Sequence, residues 1–554
     1  MQHDDLDHPS NLRDKLLSIV HDAGQTPAGK PAVKGDSTAT RLVRLAESRF
    51  RFSQADDGRV FAVPLDGPAI ARPLDGTRTS LRAELAALYF AEHDSAPNRS
   101  ALTDALGVLD GRAAVAERET LHLRVARGPD RIVIDLGDPA GACIVIDPTG
   151  WRIDPEPPVI FRRTELTAAL PRPVKGGDLD ALRQLVNVAE DAWPLLVGWL
   201  LAVLFDVPRP LLFLTGEQGT GKTTAARNIA QLLDPSPAPT RAAPRDLEAW
   251  VTAAAGSQVV ALDNLSTIAG WLSDALCRAS TGEGMVKRAL YTDDGLSVLT
   301  FRRAVILTSI DAGAMRGDLG ERLVPVELER ITSDRRRTDD ELSATFARLH
   351  PGILGALCDL AARVLDQLPA THVADLPRMA DFGRLLAAVD ALTGWQSLDA
   401  YRASAEQVAA DVVHGDALAM AVIEMLGDLT SDRWHGTPTE LYRALDRYHH
   451  DAPGWPKSLK ALSGALVRLA PALRSAGIDV AKQRSGEQGR TFTLTRPVTD
   501  VSDCDAFPLL KVGEREGKGR EQAGKGSEPP GFDPSQASLP TLADFDGTDD
   551  CGPF

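Results

Sequence analysis

Apolar residues follow three patterns along the chain, and each pattern predicts a different architecture. In residues 41–112 most of them recur three and four positions apart, as in SLRAELAALYFAEH, which is the spacing of a helix face. In residues 120–163 they alternate with polar residues between Gly-Pro-Asp and Asp-Pro turns, which predicts a small antiparallel sheet. In residues 211–328 the runs LLFLTG, QVVALDN, AVILTSI and VPVEL are separated by helical stretches. This alternation predicts a mostly parallel sheet, covered by helices on both faces, with a ligand at the carboxyl ends of its strands.

Changes between these patterns divide the 554 residues into six predicted segments. They are a flexible N-terminus (1–40), an α+β domain (41–178), an α/β core with leading helices (179–335), a helical lid (336–430), a winged-helix module (431–497) and a disordered tail (498–554). The apolar stretch 193–205 is shorter than the roughly 18 residues that a membrane span needs, so we interpret it as a buried helix.

Composition indicates the cellular compartment and limits the kinds of partner that the protein can bind. The five cysteines are scattered and form no C-x-x-C pair, which argues against a zinc ribbon or a disulfide framework and favours a reducing compartment. No apolar signal segment follows Met1, so we expect a cytoplasmic protein with no membrane partner. The net charge of −16 argues against DNA binding by the whole surface, but not against binding by a local basic module.

The stretch TGEQGTGKTT, residues 215–224, matches the phosphate-binding pattern G-x-x-x-x-G-K-[ST] between an apolar strand and a helical stretch. Its glycines allow backbone N–H groups to surround phosphate oxygens, Lys222 supplies charge to the outer phosphates, and Thr223 offers a hydroxyl to Mg²⁺. We therefore expect a P-loop NTPase core that binds ATP and Mg²⁺, the alternative being a chance glycine-rich turn. The predicted ATP-binding residues are Gly216, Glu217, Gln218, Gly219, Thr220, Gly221, Lys222, Thr223 and Thr224.

A second nucleotide motif follows in VVALDN. Asp263 ends an apolar strand, where a carboxylate can hold Mg²⁺ through water, although a helix cap is the simpler interpretation of one such residue. Asn264 comes next, at the position where many ATP hydrolases carry a second acid. Because an amide can orient water but cannot accept its proton, slow hydrolysis or a base elsewhere, such as Glu283, stays open.

The region that follows resembles superfamily 3 helicases, which are related to the AAA+ ATPases, and in particular their phage and poxvirus primase-helicase type. The resemblance rests on Thr281-Gly282-Glu283-Gly284, Lys287-Arg288, Leu290-Tyr291 and a strand from Phe301 into AVILTSI, and it covers about residues 180–335. It implies a ring, expected to be a homo-hexamer, whose loop and hairpin contact single-stranded DNA in a central pore. Lys287 and Arg288 are then the DNA-contact candidates, with Arg302 and Arg303 weaker, and a solvated basic face is the alternative.

One residue agrees with that family, and one position departs from it. Arg322, in GDLGERLVPVEL, precedes the final strand, where such rings carry an arginine finger that reaches the neighbouring subunit's nucleotide. The family usually ends its third-motif strand in Asn, whereas this chain has Thr308 and Ser309. Either hydroxyl could donate to water or phosphate, so these two are the nucleotide-sensing candidates.

Primase activity is not expected. Asp135 and Asp138 in VIDLGD lack the D-x-D spacing of that primase class, and no paired His motif follows, so we interpret them as turn residues. Residues 41–205 look instead like the helicase's own N-terminal region, which could form a collar that helps the ring to assemble.

The winged-helix prediction for residues 437–496 rests on one helix from TPTELYRALDRYH, two helices joined near Ser463-Gly464, and two strands around a glycine-containing wing. Residues 455–496 contain eight basic and two acidic side chains, a local reversal of the chain's charge. We therefore expect this module to bind duplex DNA through Lys482, Arg484 and Arg490, although winged helices also contact proteins.

The chain ends in LADFDGTDDCGPF, which resembles the acidic tail tip of bacterial single-stranded-DNA-binding proteins. That resemblance implies recruitment of a host replication protein by Pro553 and Phe554. A solubilising acidic tail is the alternative.

Together these features predict an ATP-dependent ring helicase that acts in phage or mobile-element DNA replication. Its predicted catalytic residues are Lys222, Asp263, Asn264 and Arg322, with Thr223 and Asp263 at the metal. The alternative is an initiator or loader that uses ATP as an assembly switch without unwinding, and a DNA-binding adaptor with a vestigial nucleotide site is disfavoured by the intact first motif.

Overall fold

The structure is a computed structural model. It describes residues 36–76, 79–282, 284–288, 296–300, 302–309, 317–448, 455–485 and 489–496. All of these residues belong to one compact unit, Met1–Pro497. Glu283, Phe301 and the predicted tail lie outside the described residues.

The N-terminal region combines three helices with two sheets. Its elements are α1 (Thr38–Arg49), β1 (Phe50–Ala55), β2 (Val60–Pro64), β3 (Ile70–Pro73), α2 (Leu81–His93), α3 (Arg99–Ala113), β4 (Arg118–Glu119), β5 (Leu121–His122), β6 (Val125–Arg127), β7 (Ile132–Asp135), β8 (Cys143–Asp147), β9 (Gly150–Asp154) and β10 (Ile160–Arg162). One sheet has the strand order β4-β1-β2-β3-β10-β5, and the other is the antiparallel meander β6-β7-β8-β9.

Two features of this region differ from the patterns read along the sequence. Helical spacing holds for α1, α2 and α3, but residues 50–73 form three antiparallel strands between them. The alternation of apolar and polar residues in these strands, as in FRFSQA, is short. The longer helical patterns on either side made it hard to recognise in the sequence. The predicted antiparallel module is present as the meander, whereas β5 and β10 pair in parallel with each other and extend the first sheet.

The α/β core follows. Its elements are α4 (Trp193–Leu204), β11 (Leu211–Thr215), α5 (Lys222–Leu233), β12 (Thr240–Arg241), α6 (Leu247–Gly256), β13 (Val259–Leu265), α7 (Gly270–Thr281), β14 (Gly284–Arg288), β15 (Leu296–Thr300), β16 (Ala304–Ser309), α8 (Gly317–Gly320) and β17 (Leu323–Glu327). Five strands form a parallel sheet in the order β12-β13-β16-β11-β17, and β14 pairs with β15 as a separate antiparallel hairpin.

Both faces of the parallel sheet are buried. Because side chains alternate along a strand, Leu212 and Leu214 of β11 join an apolar cluster with α4 and α5. Leu211 and Phe213 join a second cluster with α6 and α7 on the opposite face. The predicted parallel sheet with helices on both faces is thus confirmed.

Helix α4 explains the apolar stretch noted in the sequence. All of its residues except Pro194 are buried, in the cluster beneath the sheet. Within the described residues, no helix combines the length and the apolar character that a membrane crossing requires.

The C-terminal part is mainly helical. Its elements are α9 (Asp339–Gln367), α10 (Ala380–Thr393), α11 (Ser397–Gly415), α12 (Ala417–Gly427), β18 (Arg433–Gly436), α13 (Pro438–Leu445), α14 (Leu459–Ser475), β19 (Asp479–Ser485) and β20 (Gly489–Thr495). Helix α9 begins at a capping box, in which Thr338 and Glu341 bond each other's backbone N–H groups. It is tied to the meander by the Trp151 indole N–H, which donates to Asp359 Oδ1 over 2.8 Å.

The last strands form an antiparallel sheet in the order β18-β20-β19, packed against α13 and α14. The sequence predicted two helices joined near Ser463-Gly464, and this is wrong, because α14 runs through both residues without a break. Its apolar side chains at Leu462, Leu466 and Leu469 form one buried stripe, and this packing outweighs the weak helix propensity of Ser and Gly.

A buried ion pair joins the N-terminal region to the core. Arg124, between β5 and β6, donates from Nε to Asp234 Oδ1 over 2.9 Å, and the two side chains are 1% and 6% exposed. The other carboxylate oxygen of Asp234 accepts the backbone N–H groups of Gln258 and Val259, over 2.7 and 3.1 Å. Asp234 therefore connects the end of α5, the start of β13 and the N-terminal region.

We predict that Asp234→Ala lowers the free energy of unfolding by about 3–5 kcal/mol, because it leaves the Arg124 guanidinium buried without its counter-charge. Urea denaturation followed by the fluorescence of the buried tryptophans measures this change. The matched control is Asp180→Ala, which breaks an exposed pair with Arg183 and should cost about 0–1 kcal/mol. Equal costs for the two variants would contradict a structural role for Asp234.

Candidate functional site

A glycine-rich loop connects β11 to α5 at the carboxyl edge of the parallel sheet. Gly216, Gly219 and Gly221 have φ angles of 136°, 87° and 81°, which residues with a Cβ rarely adopt. A Cβ on Gly216 would lie 2.7 Å from Leu328 O, so this position also needs glycine for space. The loop is therefore a tight turn that ends at the N-terminal end of α5, where backbone N–H groups are unpaired by the helix itself.

Lys222 is the first residue of α5. Its ammonium donates to Gly216 O over 2.7 Å and to Glu217 O over 2.9 Å, so the charge lies against the loop. These bonds use two of its three N–H donors, and both acceptors are neutral carbonyls. The charge of Lys222 is thus held inside the loop by groups that do not cancel it.

The Asp263 side chain, in β13, contacts side chains from α5 and β16. Its Oδ1 accepts the Thr223 hydroxyl from α5 over 3.1 Å and the Thr308 hydroxyl from β16 over 2.6 Å. Thr308 in turn accepts the backbone N–H of Asn264 over 2.8 Å. Because Thr308 is 2% exposed, it fixes the Asp263 carboxylate from inside the sheet.

The backbone at Asn264 is unusual. Its φ of 57° lies in the left-handed region, and the β13–β16 register shifts between Leu262 and Leu265. The Asn264 side chain is exposed, while its N–H points back to Thr308. Asparagine adopts left-handed backbone more readily than most residues with a Cβ, so this conformation costs little here.

The carboxylate and hydroxyl oxygens at this point fit Mg²⁺. Thr223 and Asp263 supply the hard oxygen donors that this ion prefers, and such ions usually keep several water ligands and bind few protein groups. The described ranges contain no group of three or more His, Cys, Asp or Glu residues able to hold a metal by themselves.

The two hydroxyls proposed for nucleotide sensing have different surroundings. Thr308 contacts Asp263, as described above. Ser309 is 7% exposed and its hydroxyl donates to Leu265 O over 2.7 Å, across the β13–β16 irregularity. Of the two, the structure thus places Thr308 next to the predicted magnesium ligand.

Arg322 lies at the opposite edge of the sheet from the glycine-rich loop. It directly precedes β17, whose first residue, Leu323, pairs with Leu211 at the start of β11, whereas Glu327 pairs with Thr215 beside the loop. At about 3.3 Å per residue, this separates Arg322 from the loop of the same chain by roughly 16 Å. Its guanidinium donates to Asp318 O over 3.2 Å.

The predicted DNA-contact residues of the core fall on and beside the β14–β15 hairpin. Lys287 and Arg288 are at the end of β14, opposite Ser297 and Leu296, and their side chains lie outside what the structure describes. The hairpin expected from the resemblance is therefore present in the backbone.

The two weaker DNA-contact candidates make protein contacts at the base of the core. Arg302 forms an ion pair with Asp206 over 2.9 Å, and Arg303 donates to Ala254 O over 2.6 Å. These contacts give both residues a structural role.

Three basic residues share one face of the β19–β20 hairpin. Lys482 pairs with Phe492, and Arg484 pairs directly with Arg490, so two guanidinium groups face each other across neighbouring strands. Both arginines are exposed. Like charges in directly opposed positions destabilise a sheet, and a bound anion would relieve that repulsion.

Asp135 and Asp138 have structural partners; Asp138 lies between β7 and β8, whereas Asp135 is the last residue of β7 and not a turn residue. Asp135 is buried and accepts two hydrogen bonds from the Arg163 guanidinium, over 2.9 and 2.7 Å. Asp138 Oδ1 accepts the backbone N–H of Ala142.

Sequence reasoning missed Asp234 and the positioning role of Thr308. A single acid at the end of a helical stretch gives no periodic signal, and the bond from Thr308 to Asp263 depends on how β13 and β16 pair. The one available clue was that Thr308 ends an apolar strand within the nucleotide-binding core.

The sequence matches two family models. Residues 179–411 match the model of the actinomycete integrative conjugative element (AICE) replication protein, and residues 418–504 match that of the AICE RepA C-terminal domain. No curated protein matches the sequence.

Distant likenesses to solved structures exist as well. The apo structure of the NrS-1 C-terminal region (305–718) superposes with a TM-score of 0.36 and 10% sequence identity, covering 83% of this chain and 99% of that chain. The A form apo structure of the same region gives a TM-score of 0.35 and 12% identity, with 82% and 98% covered.

The two family models match neighbouring stretches of the sequence that together take in more than half of its length. The chain is therefore a replication protein of a mobile element.

Proposed function

We propose that this replication protein is an ATP-dependent DNA helicase, a ring motor of the superfamily 3 type. The observation that carries the proposal is the convergence of Lys222, Thr223 and Asp263 at the carboxyl edge of a parallel sheet, beside a loop with three left-handed glycines. A strand, a glycine-rich loop and a helix in this order are the phosphate-binding arrangement of P-loop NTPases.

The loop supplies the nucleotide contacts in this proposal. Backbone N–H groups from Gly216 to Gly221, at the positive end of the α5 dipole, bind phosphate oxygens, with Glu217, Gln218 and Thr224 at the rim. Lys222 exchanges its two carbonyl partners for the outer phosphates. Thr223 and, through water, Asp263 hold Mg²⁺, which neutralises charge on the β- and γ-phosphates when bound.

Two residues set the rate of hydrolysis. Thr308 is a positioning residue, because it aims the Asp263 carboxylate at Thr223. The exposed Asn264 amide orients the attacking water without accepting its proton, which predicts a modest turnover unless a base comes from elsewhere in the assembly.

Arg322 acts on the neighbouring subunit. A residue roughly 16 Å from its own loop cannot contact its own nucleotide, since an arginine side chain is far shorter than this separation. In a ring with head-to-tail interfaces, one edge of each sheet can face the opposite edge of the next subunit. We therefore propose a homo-hexamer in which Arg322 stabilises charge on the nucleotide of its neighbour.

DNA contacts come from two modules. Lys287 and Arg288 line the ring pore and bind the phosphates of one strand, which ATP turnover moves. The C-terminal helices and hairpin act as a winged helix that binds duplex DNA through Lys482, Arg484 and Arg490. The facing arginines support this assignment, because a phosphate between them would offset their repulsion.

The chain terminus recruits a partner. We assign Pro553 and Phe554 to an apolar pocket with a basic rim on a host replication protein, with the four nearby aspartates steering the encounter. Deleting these two residues should abolish binding of that partner, and an unchanged affinity would refute the assignment.

The second candidate function is that of an initiator or loader that uses ATP as an assembly switch. Asn264 favours it, because the site then binds nucleotide firmly but lacks a proton acceptor next to Asp263. In this case the same contacts hold ATP between subunits, and turnover serves only to release the assembly.

The proposed subunit-shared site predicts the outcome of mixing two inactive variants. Lys222→Ala and Arg322→Ala should each abolish ATP hydrolysis. An equimolar mixture should recover roughly a quarter of the wild-type rate, because random assembly places an intact Lys222 opposite an intact Arg322 at that fraction of interfaces. Steady-state phosphate release measures this recovery. Two variants that stay inactive in verified mixed assemblies would place both residues in one site of one chain.

The positioning role of Thr308 predicts a selective defect. Thr308→Val keeps the shape but removes the hydrogen bond to Asp263, so ATP turnover should fall by about 10–100-fold and need more Mg²⁺. Thr308→Ser keeps the hydroxyl and should retain near wild-type behaviour. A valine variant with unchanged Mg²⁺ dependence would show that Thr308 does not act through the metal.

The facing arginines predict that stability and DNA binding change in opposite directions. Arg484→Glu places opposite charges across the strands, so the module should be stabilised by about 0.2–1 kcal/mol. Its duplex DNA affinity should fall about tenfold or more, with a weaker salt dependence. Arg433→Glu, on the far strand of the same sheet, is the matched control and should leave affinity nearly unchanged. Equal losses for both variants would argue against a phosphate site on the hairpin.

A further inference from the structure

We propose that a basic cavity between the N-terminal sheets and the α/β core binds the phosphate of a nucleotide, at a site separate from the glycine-rich loop. The cavity has a volume of about 680 Å³, which is within the usual range of small-ligand sites. Its walls come from the β1–β2 turn, from residues 118–127, from residues 162–165 at the end of β10 and just beyond it, and from the core beside α6 and β13. None of the lining residues belongs to the glycine-rich loop or contacts Asp263.

The cavity carries more positive charge than its carboxylates cancel. It is lined by six arginines and His122, against four acidic residues. Two of the arginines have carboxylate partners, since Arg59 bonds Asp57 and Arg163 bonds Asp135. The lining as a whole therefore has a net positive charge.

Three of the arginines bond neutral oxygens. Arg118 donates to Gln54 Oε1 over 3.3 Å, Arg127 to Val125 O over 3.1 Å, and Arg162 to Ala255 O over 2.6 Å. These contacts fix the side chains in place, and a neutral oxygen does not cancel their charges. A guanidinium held in this way is preorganised for a phosphate, which it can bind with two parallel N–H groups.

The basic groups are close enough to repel one another. Burial and the charge of Arg127 lower the pKa of His122, against the opposing effect of Asp56. Burial and the charge of Arg59 lower the pKa of Arg162, against the opposing effect of Asp57. A bound anion removes this repulsion, so the cavity is better suited to a phosphate than to a neutral ligand.

Two buried donors in the cavity wall lack acceptors. Gln258 is 2% exposed, and among the described residues its Nε2 has no hydrogen-bond partner. Arg127 Nε is also buried and has no hydrogen-bond partner among the described residues. Buried donors without a partner are uncommon in folded proteins, and both belong to residues that line the cavity.

Part of the wall is apolar. Val60, Pro73 and Leu121 line the cavity beside the arginines. Apolar surface next to fixed cations suits a ligand with a phosphate and a sugar or base, more than an inorganic anion. A free nucleoside phosphate and the 5′-phosphorylated end of a DNA strand share this chemistry.

The test uses full-length protein carrying Lys222→Ala, in which we expect nucleotide binding at the glycine-rich loop to be weakened. Calorimetric titration with dATP tests the free nucleotide. Competition between a 5′-phosphorylated and a 5′-hydroxyl single-stranded oligonucleotide of the same sequence tests the strand end. Other DNA sites bind both oligonucleotides equally, so the difference in affinity reports the 5′-phosphate alone. At least one of the two phosphate ligands should bind through the cavity.

Two variants in the cavity are compared with one control variant outside it. Arg118→Gln is at the exposed rim and leaves the packing intact, and Arg162→Gln acts deeper in the cavity. Each should weaken dATP binding or the 5′-phosphate preference about tenfold or more. Arg152→Gln, an exposed arginine of β9, should change neither. Loss of dATP binding identifies a free nucleotide, and loss of the 5′-phosphate preference identifies a strand end. If Arg118→Gln changes neither, the cavity is not a phosphate site, whatever the state of the glycine-rich loop.

Discussion

The Asp234 carboxylate is the constraint on which the rest of this structure depends. One of its oxygens is paired with Arg124, and the other is bonded to the backbone at the start of β13. Asp234 itself follows α5, so a single buried side chain fixes the far ends of the two elements that meet at Thr223 and Asp263. The same pair joins the N-terminal region to the core. The geometry of the candidate site and the wall of the basic cavity beside Gln258 are therefore supported by one interaction.

Parallel strand pairing then divides the chemistry between two edges of the sheet. The carboxyl edge gathers Lys222, Thr223 and Asp263, because parallel strands end on the same side. Arg322 lies at the amino edge, since it precedes a strand that runs parallel to β11. A chain built in this way has a proposed phosphate site and an arginine that cannot reach it. Head-to-tail subunits would bring this arginine next to the nucleotide of the neighbouring subunit. This is the physical reason for proposing a ring.

The sequence predicted the core well because its signals were local. Strands built on short apolar runs, a glycine-rich loop and the buried α4 each depend on neighbouring residues, and all of them are present. Local sequence signals did not predict the secondary structure where packing between elements determines it. The strands in residues 50–73 are hidden between stronger helical patterns, and α14 stays continuous because its apolar stripe is buried. The hydrogen bond of Thr308 to Asp263 and the basic cavity could not be predicted, since both depend on pairing between segments far apart in sequence.

Steady-state ATP hydrolysis by the wild-type full-length protein, with and without single-stranded DNA, tests the central claim most directly. The account predicts Mg²⁺-dependent turnover that DNA stimulates, because the pore strand and the subunit-shared nucleotide belong to one ring. Tight ATP binding with negligible turnover under both conditions would contradict the motor. It would show that Asn264 and Thr308 hold a nucleotide without hydrolysing it, as an assembly switch requires.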